Sequence, residues 1–298
     1  MSVDSLFSEI VALLARKIRY GLFPACDYMI LTLVCRANST QVKPAVIVQA
    51  SKQASKQLNF IFTKGETMAN IHFVGGEKGG VGKSVVARVL AQYMIDREIP
   101  FCAFDTDRSH GSLLRFYANY SVSTQIEAFE SLDAIVEAAI EDNNRHILVD
   151  LAAQTFHPFV KWFEETGVAE LTEKLGITVT YWNVMDSGKD SVDLLDPLFA
   201  QYAPNMNYIL VLNALRGDNF EIFENSEARK QALELDAKIM PLKRLHPPLM
   251  QKIDATSASF WAAKNSVPGS TVKLGLLERH RVKIWLREVY HQLDLLGV

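Results

Sequence analysis

The sequence predicts a three-layer, doubly wound α/β fold, a mostly parallel sheet flanked by helices. Three observations predict it. From Ala69 onward, short apolar runs alternate with longer amphipathic stretches, the pattern of buried strands covered on both faces by helices. The first of these runs opens straight into a glycine-rich loop followed by a helical pattern, the strand–loop–helix unit of an open sheet. The 298 residues are also enough for one large core or two small ones.

The elements follow in order. The run Ile71-His-Phe-Val74 is the first strand, and Val85, Val86, Val89, Leu90, Tyr93 and Met94 mark one face of the helix after the loop. Phe101-Cys-Ala-Phe104 is the second strand and leads into Asp105-Thr-Asp107. His146-Ile-Leu-Val-Asp150 ends in an acid, and Tyr208-Ile-Leu-Val-Leu-Asn213 ends in an amide. Near the C-terminus, Leu276, Leu277, Val282, Trp285, Leu286, Val289, Leu293 and Leu296 stripe a long helix that also bears Arg279, Arg281, Lys283 and Arg287. The acids Glu278, Glu288 and Asp294 dilute that charge, so the stripe is read as a packed terminal helix rather than a membrane-surface one.

Composition narrows the function classes. The chain is 49% hydrophobic and 22% charged with net charge −3, which argues against a surface coated in basic charge for nucleic acid. The charge is unevenly divided: residues 1–67 carry eight Lys/Arg against four Asp/Glu, a net +4, so the remaining residues carry −7. The three cysteines, Cys26, Cys35 and Cys102, are too few and too scattered for a disulfide framework, and no Cys-x-x-Cys is present. A reducing, cytoplasmic compartment is expected.

Two domains of unequal kind are expected. Residues 1–67 read as an N-terminal extension, disordered or outside the native protein, with Met68 as a natural start. Its run Tyr28-Met-Ile-Leu-Thr-Leu-Val-Cys35 is far shorter than the roughly 20 apolar residues of a membrane-spanning helix, so no integral membrane association is expected. Docking through a helix and attachment to a membrane surface are the other readings of this segment. Residues 68–298 hold the nucleotide machinery.

That machinery begins at Gly75-Gly-Glu-Lys-Gly-Gly-Val-Gly-Lys83-Ser84. Gly79, Gly80 and Gly82 can adopt backbone angles closed to other residues, turning consecutive N–H groups inward as an anion cradle. The helix N-terminus adds partial positive charge beneath the phosphates. Lys83 is expected to reach the β- and γ-phosphates and Ser84 to complete magnesium coordination. The cofactors expected are ATP and Mg2+, with Gly79, Gly80, Val81, Gly82, Lys83, Ser84 and Val85 as cofactor-binding residues. A tight turn explains the glycines but not the Lys-Ser pair in register with them.

Lys78 stands five residues before Lys83. With this second lysine the sequence resembles the deviant Walker A ATPases of the ParA/MinD superfamily, from Ala69 to Val298. The resemblance implies that Lys78 crosses an ATP-dependent homodimer to the partner's nucleotide. It implies that Asp107 positions the attacking water and that Asp150 contacts magnesium through a coordinated water. Asp105 and Asp107 alternate to one side of an extended segment, so both are expected to face the phosphates; for Asp107 a strand-end turn or helix N-cap is the other reading. Arg108-Ser109-His110 departs from the superfamily's usual Pro-Gln. Gln154 reads either as a γ-phosphate contact or as an ordinary loop amide.

Asn213 stands where relatives place an adenine-reading amide, which can donate and accept at once, and Ile239-Met-Pro-Leu242 is expected to flank the base. Only Cys102 lies beyond the loop, so iron–sulfur electron transfer of the nitrogenase-iron-protein kind is excluded. The Gly-Lys-Ser loop, Ala-Ala-Gln-Thr-Phe-His-Pro-Phe159 and the C-terminal helix look most like the plasmid conjugal-transfer and plasmid-stability group. The resemblance implies a Mg-dependent ATP hydrolase working as a dimerisation switch in plasmid partition, maintenance or transfer, with a protein partner that regulates turnover. Nonspecific DNA is a further candidate partner, held by the terminal basic residues with Lys252, Lys264 and Lys273. The alternatives are an ATP-dependent ligase of the cobyrinate-amidating or dethiobiotin-forming kind, and a non-catalytic binding module.

Overall fold

A computed structural model describes residues 69–107, 111–142, 144–201, 206–265 and 271–298. The expectations for residues 1–67 and for Arg108-Ser109-His110 lie outside the described residues. In chain order, β1 (Asn70–Gly75) leads through the glycine-rich loop to α1 (Lys83–Asp96) and β2 (Phe101–Asp105). Next come α2 (Ser112–Phe116), β3 (Ser121–Ser123), α3 (Phe129–Glu141), β4 (His146–Asp150), α4 (Phe156–Glu165), α5 (Val168–Leu175) and β5 (Thr178–Met185). The helices α6 (Lys189–Asp193) and α7 (Leu195–Ala200) precede β6 (Asn207–Asn213), and α8 (Glu221–Glu224) and α9 (Glu227–Glu234) precede β7 (Lys238–Leu242). The last three helices are α10 (Pro247–Ala255), α11 (Phe260–Lys264) and α12 (Leu276–Leu296).

The seven strands form one sheet in the order β3-β2-β4-β1-β5-β6-β7, and every ladder in it is parallel. The expected α/β class holds, and the sheet is wholly parallel. β1 lies at the centre, with β4, β2 and β3 on one side and β5, β6 and β7 on the other, so the chain switches sides of β1 between β4 and β5. Its C-terminal end is therefore the topological switch point where such sheets bind ligands.

Alternation along β1 divides the core. Ile71 and Phe73 face one apolar cluster with Phe159, Trp162 and Tyr181. Val74 faces a second, built from α1 and α12 with Leu148 and Val211. The period-two alternation of side chains thus feeds both layers from one strand. The C-terminal stripe packs as expected over Val282, Trp285, Leu286, Val289 and Leu293, all buried, whereas Leu276 and Leu277 are exposed. Among the described residues, no helix is long and apolar enough to cross a membrane.

One polar network runs through the sheet interior. Trp182 Nε1 donates to His72 Nδ1 at 3.2 Å, and His72 Nε2 meets His146 Nδ1 at 3.0 Å. An indole N–H can only donate, so His72 Nδ1 must accept and its proton sits on Nε2, which donates to His146.

Candidate functional site: the end of the central strands

The site assembles where β1, β4, β5 and β6 end. Gly80 and Gly82 of the loop adopt φ of 72° and 95°, the left-handed region that favours glycine. A Cβ on Gly82 would stand 2.3 Å from Asn213 Nδ2, so that position is closed to a side chain on two counts. Gly79 differs from the expectation. It is not among the glycines with positive φ, and a Cβ there would meet nothing within 4 Å; the open side of the cradle is at this residue.

Lys83, the first residue of α1, is buried, and its Nζ donates to Lys78 O at 3.0 Å across the loop. Burial lowers its pKa, while the carboxylates of Asp150, Glu77 and Asp107 pull the other way. The ammonium is thus surrounded by acids but bonded to a neutral carbonyl. Arriving phosphates could take it at little cost, since a charge-assisted bond would replace a neutral one.

Asp150 ends β4 and is fully buried, with neither carboxylate oxygen in a hydrogen bond. Burial, followed by the neighbouring Asp105, pushes its pKa up to about 8, and Ser84 and Lys83 only partly offset this. An orphaned buried carboxylate is costly unless something fills its coordination. A divalent cation fits: Ser84 is in the first turn of α1, and hard cations take oxygen donors. Among the described residues, no group of three or more His, Cys, Asp or Glu could hold a metal by itself, so the remaining ligands would come from phosphates and water.

The two acids after β2 part company. Asp105 is buried, and its oxygens accept from the amides of Asp107 at 3.1 Å, Leu113 at 2.8 Å and Leu114 at 3.2 Å. From the end of β2 its side chain answers first-turn amides of α2, whose N-cap residue is Gly111, and the expectation that it faces the phosphates is corrected: three backbone donors hold it in the turn. Asp107 stands close enough to the loop for its charge to act on Lys83. Thr106 stitches this turn to the end of β4. Its N–H and hydroxyl both donate to Asp150 O at 3.1 Å, and its hydroxyl accepts from Ala152 N at 2.8 Å.

Lys78 is bound within its own chain. Its Nζ lies 3.2 Å from Asp186 Oδ1 and 3.7 Å from Asp190 Oδ2. Asp186 also accepts from Ser191 Oγ at 2.6 Å and Gly188 N at 3.1 Å, and Arg216 Nη1 stands 3.5 Å away. Burial would raise the Asp186 pKa, but Ser191, Gly188 and Lys78 together hold it below its ordinary value. Sequence reading missed Asp186 and Arg216. The signal was positional, since one follows β5 and the other follows β6 on the ligand-binding edge.

Asn213 ends β6 as expected, but its Nδ2 donates to Val81 O at 2.8 Å, so part of the amide braces the loop. The residue also lines a cavity of about 340 Å³ with Val85, Leu242, Gln251, Asp254 and Trp285. Of the run expected to flank the base, Leu242 lines this cavity, while Ile239 packs against the core cluster on the other face. The rest of the wall comes from residues such as Lys243, Arg244 and Met250. Gln154 is exposed, with φ of 62°.

Sheet order, loop and orphaned acid define the class: a wholly parallel α/β fold of the P-loop kind. Among particular proteins, the chain is 25% identical over 244 residues to Protein TraL of Escherichia coli, covering 78% of this chain and all of that one. It is 24% identical over 232 residues to Protein MobD of Acidithiobacillus ferrooxidans, covering 76% and 96%. No family model matches. Among solved structures, it is similar to the MinD cell division protein of Aquifex aeolicus, with TM-score 0.43 and 14% identity over 74% of this chain and 97% of that one. A nucleotide-binding protein from Archaeoglobus fulgidus in complex with ADP has TM-score 0.40 and 14% identity over 61% and 84%.

Proposed function

We propose that the chain is a Mg-dependent ATP hydrolase that works as an ATP-driven dimerisation switch in plasmid or DNA partition, maintenance or conjugal transfer. The observation that carries the reading is the unpartnered Asp150 carboxylate beneath a loop whose Lys83 is parked on a backbone carbonyl. Neither group has the charged bonding partner that a magnesium nucleotide would bring. The superfamily resemblance at Lys78 supports the switch, and the similarity to TraL and MobD supports the plasmid setting.

In this reading the loop N–H groups and Lys83 hold the phosphates, Val85 and Asn213 meet the base, and Asp107 orients the attacking water. Ser84 and Asp150 would hold the magnesium ion, which supplies neutralisation of phosphate charge when bound. Lys78 leaves Asp186 to reach the partner's nucleotide, so the γ-phosphate can bias dimerisation by contacts made in one state only. The chain acts in the cytoplasm with a protein partner that sets turnover. DNA binding is the weaker part of the proposal, because Lys252 pairs with Glu278 and Lys264 with Asp96.

The test is ATP turnover and light-scattering mass of the full chain with ATP, ADP or AMP-PNP, with and without Mg2+ and DNA. Expected are Mg-dependent turnover and a dimer with AMP-PNP. Lys83→Ala should weaken nucleotide binding on the order of 100-fold, since it removes charge-assisted bonds to phosphate. Lys78→Ala should bind nucleotide and fail to dimerise. A Lys78→Ala chain that dimerises and turns over normally overturns the switch, and turnover that depends on an added small carboxylate marks a ligase.

A further inference from the structure

The phosphate loop contains an acid that phosphate binding does not explain. Glu77 precedes Lys78 in the loop, and its Oε1 accepts a hydrogen bond from Phe156 N at 2.9 Å. Phe156 is the first residue of α4, whose N-cap Thr155 makes no side-chain cap; the Thr155 hydroxyl donates to Ala152 O at 2.7 Å instead. The free N–H groups of a helix start are normally satisfied by a residue next door. Here one of them is satisfied by a carboxylate 79 residues away, planted in the cradle where a negative charge opposes the ligand.

The segment between Asp150 and α4 carries a second sign of stored tension. Gln154 holds φ of 62°, a conformation uncommon for a residue with a side chain and found at switch regions. The helix beyond is a stiff lever. Phe156, Phe159, Trp162 and Phe163 are buried along it, and Trp162 Nε1 donates to Asp133 Oδ1 at 2.9 Å on α3. On the other side, the chain at Gly76 is pinned against β5, where a Cβ would stand 2.6 Å from Val184 O. Glu77 therefore answers to the loop through its side chain rather than by sliding its backbone.

Resting on the nucleotide reading above, we infer that Glu77 is a positioning residue that couples phosphate occupancy of the loop to the start of α4. When phosphates fill the cradle and draw Lys83 toward them, Glu77 loses a neighbouring cation and gains neighbouring anions. Repulsion presses its carboxylate onto the positive N-terminus of α4. The contact tightens, and residues 152–156 and the first turn of α4 are held in one arrangement.

The experiment is hydrogen–deuterium exchange of residues 152–160 in the full chain, free and with Mg2+ and AMP-PNP, with affinity measured in parallel by calorimetry. In the wild-type chain AMP-PNP should slow exchange of this segment about fivefold, the effect of one helix cap. Glu77→Ala should bind AMP-PNP no more weakly than wild type, because it removes a negative charge that opposes the phosphates, yet lose the slowing. Glu77→Gln keeps an acceptor for Phe156 N but not the charge. It should restore the protection of the free chain without the increment on binding, and it keeps the test open if Glu77→Ala does not fold. An increment unchanged in Glu77→Ala or in Glu77→Gln overturns the coupling. A wild-type chain that binds no AMP-PNP overturns the nucleotide reading and the coupling with it.

Discussion

Two carboxylates stand at the ends of the strands that flank β1, and their circumstances are opposite. Asp150 closes β4 with both oxygens unpartnered. Asp186 follows β5 and is saturated by Ser191, Gly188, Lys78 and Arg216. Both are buried, yet burial leaves the first above its ordinary pKa, while the partners of the second hold it below. The difference teaches that depth alone does not decide whether a buried acid is a site: what matters is whether its lone pairs are already answered. The oxygens of Asp150 are unanswered, whereas Asp186 holds a cation that the chain already owns.

The comparison breaks most sharply at Asp150. Asp150→Asn should cut the magnesium-dependent part of nucleotide affinity about 10- to 100-fold, the range seen when groups orienting a metal's ligands are removed. Calorimetry with ADP, in Mg2+ and then in chelator, reads this directly. Affinity in chelator should be nearly unchanged, because the neutral loop N–H groups and Lys83 remain. Equal losses in both conditions would make Asp150 a structural acid like Asp105.

Asp186→Asn sharpens the other side. The amide keeps an acceptor for Ser191 and Gly188 but frees Lys78 and Arg216. A broken buried pair can cost several kcal/mol, but the Lys78 and Arg216 side chains are 22% and 54% exposed, so the loss should be about 1–2 kcal/mol. Urea unfolding measures it. Nucleotide affinity should not fall, since the released lysine stands beside Gly79. A weakened affinity would mean that the Asp186 pair shapes the loop rather than restraining Lys78.

The two acids also mark how far sequence carries. The β1–loop–α1 unit was legible because Gly80, Gly82, Lys83 and Ser84 act within one local segment, and Asp150 was legible because it ends an apolar run. Glu77 and Asp186 were not, since their partners lie 79 residues away in one case and 108 in the other. Asp105 misled for a related reason. Period-two alternation placed it beside Asp107 facing the phosphates, but the chain turns after β2 and returns α2 to its carboxylate. Alternation holds along a strand and stops being informative where the strand ends.

A buried group with every nitrogen answered gives the smallest and most general test of the contrast. His72 is as deeply buried as Asp150, but Trp182 and His146 occupy its ring nitrogens. Burial, with the nearby His146, lowers its pKa from 6.5 to about 3, and burial lowers His146 as well. The sign follows from which state takes the proton. Above pH 6.5 both states are neutral and the stability is fully present. Below it the unfolded chain binds protons that the folded chain refuses, so stability falls as pH drops toward 3. The slope for one such histidine approaches about 1.4 kcal/mol per pH unit, or roughly 1 kcal/mol between pH 6.5 and 5.5. Urea midpoints across that interval should fall in wild type and fall less in His72→Leu. An acid sensitivity that survives His72→Leu undiminished would put its origin at His146, whose pKa burial also lowers, since Asp186, held below its ordinary value, titrates too low to act in this interval.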